Sequence, residues 1–151
     1  MEKLLKFGHV RGGKTSTPVV LTAADAYVAN SASFVVIAAA GTATKVAASG
    51  TIIFGWAETE VVASVVAGTP CNVIIDPSAV YRIPVVAGTY TPAKYLGRGC
   101  DIVLSGNIQG ADLTAHTDDV LLIVGGDATL NYVDVMVVPA VRVAATLGAG
   151  E

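Results

Sequence analysis

The sequence predicts a mainly β protein, a compact β-barrel or β-sandwich of short strands with one to three short helices. Three observations predict it. Between residues 34 and 66, short β-branched runs follow one another, cut off by Gly, Ser or Thr. Residues 132–138 alternate, with Val133, Val135 and Val137 on one side and Tyr132, Asp134 and Met136 on the other. That period of two marks a strand with one face more buried than the other. No long amphipathic helical pattern separates the apolar runs, which disfavours a doubly wound α/β fold.

The elements follow in order. Residues 1–17 read as a flexible basic N-terminal arm, with Gly12-Gly13 inviting flexibility, and residues 18–151 as a single β-rich domain. Residues 18–21 are the first β-like run. Thr22-Ala23-Ala24-Asp25 matches a capping box, so a short helix through Tyr27 is expected. Strands over 34–38, 44–47 and 51–57 make a meander turning at Ala40-Gly41-Thr42 and Ser49-Gly50, and 60–66 continues it. Gly55 inside a run suggests a bulge or a close backbone approach beside Trp56. A strand over 73–75 ends at the Asp76-Pro77-Ser78 turn, and 80–86 carries Pro84, so it should be an edge strand or bulged. Thr91, Pro92 and Gly97 read as N-cap, first helical position and stop of a helical turn. Strands over 101–104 and 120–124 precede a turn at Gly125-Gly126-Asp127, and 141–145 is a last strand after Pro139. No fixed long repeat is visible, which argues against a solenoid.

At 151 residues one domain with a real core is the expectation. Hydrophobic residues make up 53 % and charged residues 14 %. The second figure is well below ordinary globular usage. Part of the apolar surface is therefore expected to lie against a partner, as in oligomers and assembly components. Polar residues interrupt every apolar run before the roughly 18 residues of a spanning helix, so no membrane is expected. The apolar stretch in MEKLLKFGHVRGG is too short for a signal peptide, which points to a cytoplasmic site of synthesis. The formal net charge of −3 is uneven. Lys3, Lys6, Arg11 and Lys14 against Glu2 give the first fifteen residues +3, and five basic against eleven acidic groups give the remainder −6. A basic arm on an acidic body suits an acidic partner. Four cations without aromatic interleaving do not indicate direct nucleic-acid binding.

Reactive chemistry finds little support. Gly8-His9-Val10-Arg11-Gly12-Gly13-Lys14-Thr15 fits G-x-x-x-x-G-K-T. A phosphate-binding loop needs a buried strand before it and a helix after it. Here Ser16-Thr17-Pro18 continues extended, because Pro18 biases Thr17 away from helix. Cys71 and Cys100 are expected as buried free thiols. Only His9 and His116 could join them, at no recognisable zinc spacing. Asp127, Asn131 and Asp134 do not match a calcium loop. Asp118-Asp119 after His116 lacks a G-x-S-x-G elbow and is expected at a solvent-facing turn. No catalytic residue, metal or cofactor is expected.

As a whole the chain resembles the capsid decoration, or cement, proteins of tailed bacteriophages. The resemblance covers roughly residues 15–140. It rests on VVLTAADAYVANSASFVVI leading into AGTATKVAASGTIIFGWAE, then PSAVYRIPVVAGTYTPA and CDIVLSGNIQGADLT. It implies a virion protein, made in the host cytoplasm, that binds the outer capsid surface. There it would bridge subunits of the major capsid protein, as a homo-oligomer and by expectation a trimer. On this view Lys3, Lys6, Arg11 and Lys14 are the capsid contacts. Trp56 and Tyr132 are candidates for the core or a subunit interface. The alternatives are another virion component, such as a head-fibre base or minor shell subunit, and a nucleotide binder acting through Gly8 to Thr15.

Overall fold

The computed structural model describes residues 6–38, 41–47, 52–59, 61–115 and 118–138. It is mainly β, with eleven named strands and one short helix among those residues. The expected turn at Ser49-Gly50, residues 139–145, Lys3 and His116 lie outside the described residues.

The first sheet contains β2 (Ser16–Val20), β3 (Phe34–Ile37), β4 (Ala43–Lys45), β5 (Gly55–Glu58) and β6 (Pro70–Ile74). Their order is β2-β6-β5-β3-β4. Leu21, just past β2, makes a parallel bridge to Ala43 and so curls the sheet towards closure. The second sheet contains β1 (Gly8–Arg11), β7 (Val80–Ala87), β8 (Gly99–Ser105), β9 (Ile108–Asp112), β10 (Leu121–Asp127) and β11 (Tyr132–Val137). Its order is β1-β7-β11-β10-β8-β9, and β9 returns to pair in parallel with β7. Strands β7 to β11 thus form a closed barrel, which leaves no free edge within the ring.

Alternation along the strands explains the layers. In β3, β5 and β6, successive residues point to opposite faces, and both faces are buried. Val35, Ala57 and Val73 join Leu21, Tyr27, Ala43, Val65 and Cys71 in one cluster. Phe34, Trp56 and Ile74 face the barrel and join Tyr81, Ile83, Ile123, Val133 and Val135 in the main core. Strands buried on both faces read as near-continuous apolar runs, which is how FVVI is written. In β11, Val133 and Val135 are fully buried while Tyr132 and Met136 are partly exposed, as the period-two pattern predicts, but Asp134, expected on the open side, is buried.

Several sequence expectations hold in detail. The helix α1 (Pro92–Tyr95) has Thr91 as N-cap and Pro92 in its first turn, and Gly97 follows with φ +81°. Gly55 is a site of close backbone approach, because a Cβ there would run into the Ile74 carbonyl oxygen. Pro84 lies where β7 changes partners. Gly8 and His9 of β1 pair with Arg82 and Tyr81, and β9 pairs from Val85 onward with an irregularity before Ala87.

Others are corrected. Among the described residues of the expected flexible arm over 1–17, residues 8–11 and 16–17 are sheet, since β1 pairs with β7 and β2 with β6. Gly12-Gly13 is a packing requirement instead of a hinge. A Cβ on Gly12 would strike the Ser78 carbonyl, and one on Gly13 the Asp76 carboxylate. The helix expected after Thr22 is absent because Asp25 is engaged elsewhere. Its Oδ2 accepts from Thr44 Oγ1 at 2.8 Å and from Lys45 N at 3.2 Å, and Ala24 takes φ +69°. Gly125 and Gly126 belong to β10, and the turn falls at residues 128–131. Glycine is needed at 126 because the Tyr90 ring packs where its Cβ would be.

Candidate functional site

The junction of the two sheets carries most of the polar structure near the N-terminal strands. Asp76, in the turn before β7, ties the β1–β2 connection to the body. Its Oδ1 accepts from Ser78 N at 2.9 Å and Ser78 Oγ at 2.7 Å. Its Oδ2 accepts from Thr15 Oγ1 at 3.1 Å and Thr15 N at 3.3 Å. Gly13 N donates to Ser78 Oγ at 2.9 Å. These donors favour the charged carboxylate. The Ser78 hydroxyl and backbone N–H are the main cause that holds the Asp76 pKa down to about 2. The Gly8-to-Thr15 segment is therefore a strand and a tethered connection, with β2 instead of a helix after it. That is not the geometry of a phosphate-binding loop.

The expected contact residues fall in different settings. Lys6 is exposed. The Arg11 guanidinium lies 4.0 Å from Asp134, and Lys14 Nζ lies 2.8 Å from Glu58. Both basic side chains remain more than half exposed. Trp56 is a core residue. It stacks on Tyr81 at 5.0 Å with an interplanar angle of 7°, and Phe34 meets both rings edge-on. Tyr132 is half-buried under the Arg82 guanidinium, 4.3 Å from the ring centroid.

Sequence reasoning missed two polar anchors. Arg82 donates to buried Asp134 through Nε at 2.8 Å and Nη2 at 3.1 Å. This pairing is the main cause that raises the Arg82 pKa. The cross-strand register of Arg82 with Asp134 creates the pair, and it appears only once β7 and β11 are known to be neighbours. Gln109 on β9 is fully buried and reaches across to the first sheet. Its Oε1 accepts from Phe34 N at 2.7 Å, and its Nε2 donates to the Phe34 and Val46 carbonyls at 3.0 Å each. The side-chain amide thus stands in for a strand neighbour.

A cavity of about 580 Å3 opens beside β1 and β5. His9, Lys14, Asn30, Ser31, Trp56 and Glu58 are among its lining residues. The Lys14–Glu58 pair occupies its polar side, and His9 Nε2 is already engaged with the Gly13 carbonyl at 3.0 Å. Both cysteines are free and buried. Burial is the main cause that pushes the Cys100 pKa up to about 12, and it also raises that of Cys71. A thiol held protonated is a poor nucleophile and metal ligand. Among the described residues no group of three His, Cys, Asp or Glu side chains is placed to hold a metal ion. Among them, no helix is long and apolar enough to cross a membrane.

Some strand connections carry exposed apolar side chains. Val61 and Val66, on the β5–β6 connection, are 70 % and 74 % exposed, and Leu130, between β10 and β11, is 59 % exposed. Such an arrangement buries area on contact and offers little directed chemistry. Comparison with protein-family models, with curated proteins and with solved structures finds no match for this chain.

Proposed function

We propose that this protein is a virion decoration protein. It binds the outer surface of a tailed-phage capsid and stabilises the lattice by bridging major-capsid subunits, as a trimer. The observation that carries this reading is the surface: highly exposed valines and a leucine at the strand connections, on a chain with only 14 % charged residues. A surface of that kind favours association. The rigid β body supports it, because a preorganised surface loses little entropy on docking. Lys6 is exposed, and Arg11 and Lys14 stay more than half exposed although they lie near Asp134 and Glu58, so these cations are the proposed contacts for an acidic counterpart.

Co-sedimentation of the purified protein with phage heads stripped of decoration tests the reading. Saturable binding, with heads that then resist heat better, is the expected result. Protein that stays in the supernatant at every concentration sinks it.

A further inference from the structure

We propose that the chain is a tandem pair of one five-stranded unit. The β5–β6 and β10–β11 connections are then matching contact points for two copies of one partner, two identical subunits of the shell. The second statement rests on the capsid-binding reading above.

The repeat is in the connectivity. Taken in chain order, β2 to β6 pair with one another as β7 to β11 do. The first strand lies antiparallel to the fifth in each half, β2 on β6 and β7 on β11. The fifth is antiparallel to the fourth, β6 on β5 and β11 on β10. The fourth is antiparallel to the second, β5 on β3 and β10 on β8. The second is antiparallel to the third, β3 on β4 and β8 on β9. Each ring then closes in parallel between the third strand and the end of the first, through Leu21 with Ala43 and through Val85 with Ala111.

Each first strand also carries a Pro-Val-Val, offset by two positions between the units. Pro18 lies three residues before Leu21 and opposite Asn72, and Pro84 one residue before Val85 and opposite Tyr132. Leu21 N donates to Thr69 O and Val85 N to Asn131 O, both towards the fifth strand. Each proline, an odd number of positions away, therefore turns its missing N–H to the other flank. On that flank β7 passes from β1 to β9.

The exposed apolar side chains obey the same repeat. Val66, Val61 and Leu130 are the three most exposed large apolar residues among those described. All three lie between the fourth and fifth strands of their units. Glu58 lines the same groove as Val61 and Val66, and Asp127 Oδ1 accepts from Leu130 N at 2.8 Å, so each apolar point has a carboxylate beside it and the complementary surface is apolar with a polar rim. Two like contact points on one chain fit two like partners, and a symmetric shell presents one surface many times. Holding both at once gains avidity over either alone.

The test uses the full chain and stripped phage heads. One variant combines Val61→Asp with Val66→Asp, a second carries Leu130→Asp, and a third carries all three. A melting temperature equal to wild type shows that each remains folded. The proposal predicts that the first two variants lose apparent affinity by the same factor, about 100-fold or more, and that the third shows no detectable binding. It is overturned if wild type binds while only one of the two points matters, or neither does. It is also overturned if the variants release a self-associated form of the protein without changing head binding, since the points would then be contacts between copies of this chain. Wild type that fails to bind heads removes the capsid reading and this assignment together.

Discussion

Gln109 is a single side chain that satisfies three buried backbone groups: the N–H and carbonyl of Phe34 and the carbonyl of Val46. Removing it strands those groups away from water, and each unsatisfied group costs about 1–3 kcal/mol. Gln109→Ala is therefore expected to destabilise the fold by at least about 3 kcal/mol, read as a lower urea midpoint with an unchanged slope. A loss below about 1 kcal/mol would show that the amide is not the clamp between the sheets. Arg82 poses a similar test. Its loss leaves the Asp134 carboxylate buried and short of its bidentate partner, so Arg82→Ala is expected to cost about 3 kcal/mol on chemical denaturation.

Asp76 adds a pH dependence. Its folded pKa, near 2, lies below the ordinary aspartate value of about 3.9. The unfolded chain thus binds this proton more readily. The contribution is present above about pH 4 and is lost as pH falls towards 2. The protection factors of the Gly13 and Thr15 amides, exchange relative to the intrinsic rate at each pH, are expected to fall over that window, and Asp76→Asn should remove this pH dependence. Protection factors that do not change between pH 5 and 2 would contradict the role. Gln109 and Arg82 do not announce themselves in the sequence, while Asp76 is legible there only as a turn residue two positions before Ser78. The buried Gln, the paired Arg and the tether from Asp76 to Thr15 depend on neighbours about 50 to 75 positions away.

At the scale of elements, local signals were legible where local physics decides. The Thr91-Pro92 start, the Gly97 stop and the alternation in β11 depend on residues a few positions apart. Signals whose outcome depends on distant partners were not legible. Thr22 to Asp25 carries a capping pattern, but Asp25 spends its carboxylate on Thr44 and Lys45. Gly12-Gly13 and Gly125-Gly126 look like hinges and turns, yet the Asp76-Pro77-Ser78 turn and the Tyr90 ring lie where a side chain would go. The cations of the expected arm fared likewise: Arg11 sits on a strand of the barrel sheet, and Lys14 pairs with Glu58. It follows that Gly12→Ala and Gly126→Ala each destabilise the protein, by about 1–3 kcal/mol from overpacking. Thermal unfolding checks this, and melting temperatures equal to wild type would mean that the close approaches relax freely.

For the whole molecule, the mainly β class follows from composition and turn spacing. The division into two rings with one connectivity does not, because the side chains that fill each ring have diverged while the pairing pattern has not. The ring of β7 to β11 is closed and shares its core with the inner face of the other sheet through Phe34, Trp56 and Tyr81. That shared core predicts a single cooperative unfolding transition. The low charged fraction of 14 % predicts association, and light scattering after size exclusion is expected to give the mass of a trimer. A monomer at micromolar concentration would count against the trimer, though not against binding to the shell.

The proposed function requires that the protein adhere to a shell by its surface. Electron cryomicroscopy of stripped phage heads, imaged with and without the added protein, tests this most directly. Regularly placed extra density on the outer face, with the strand connections at 61–69 and 128–131 seated on neighbouring capsid subunits, is the predicted result. Heads that remain bare at saturating protein would contradict it.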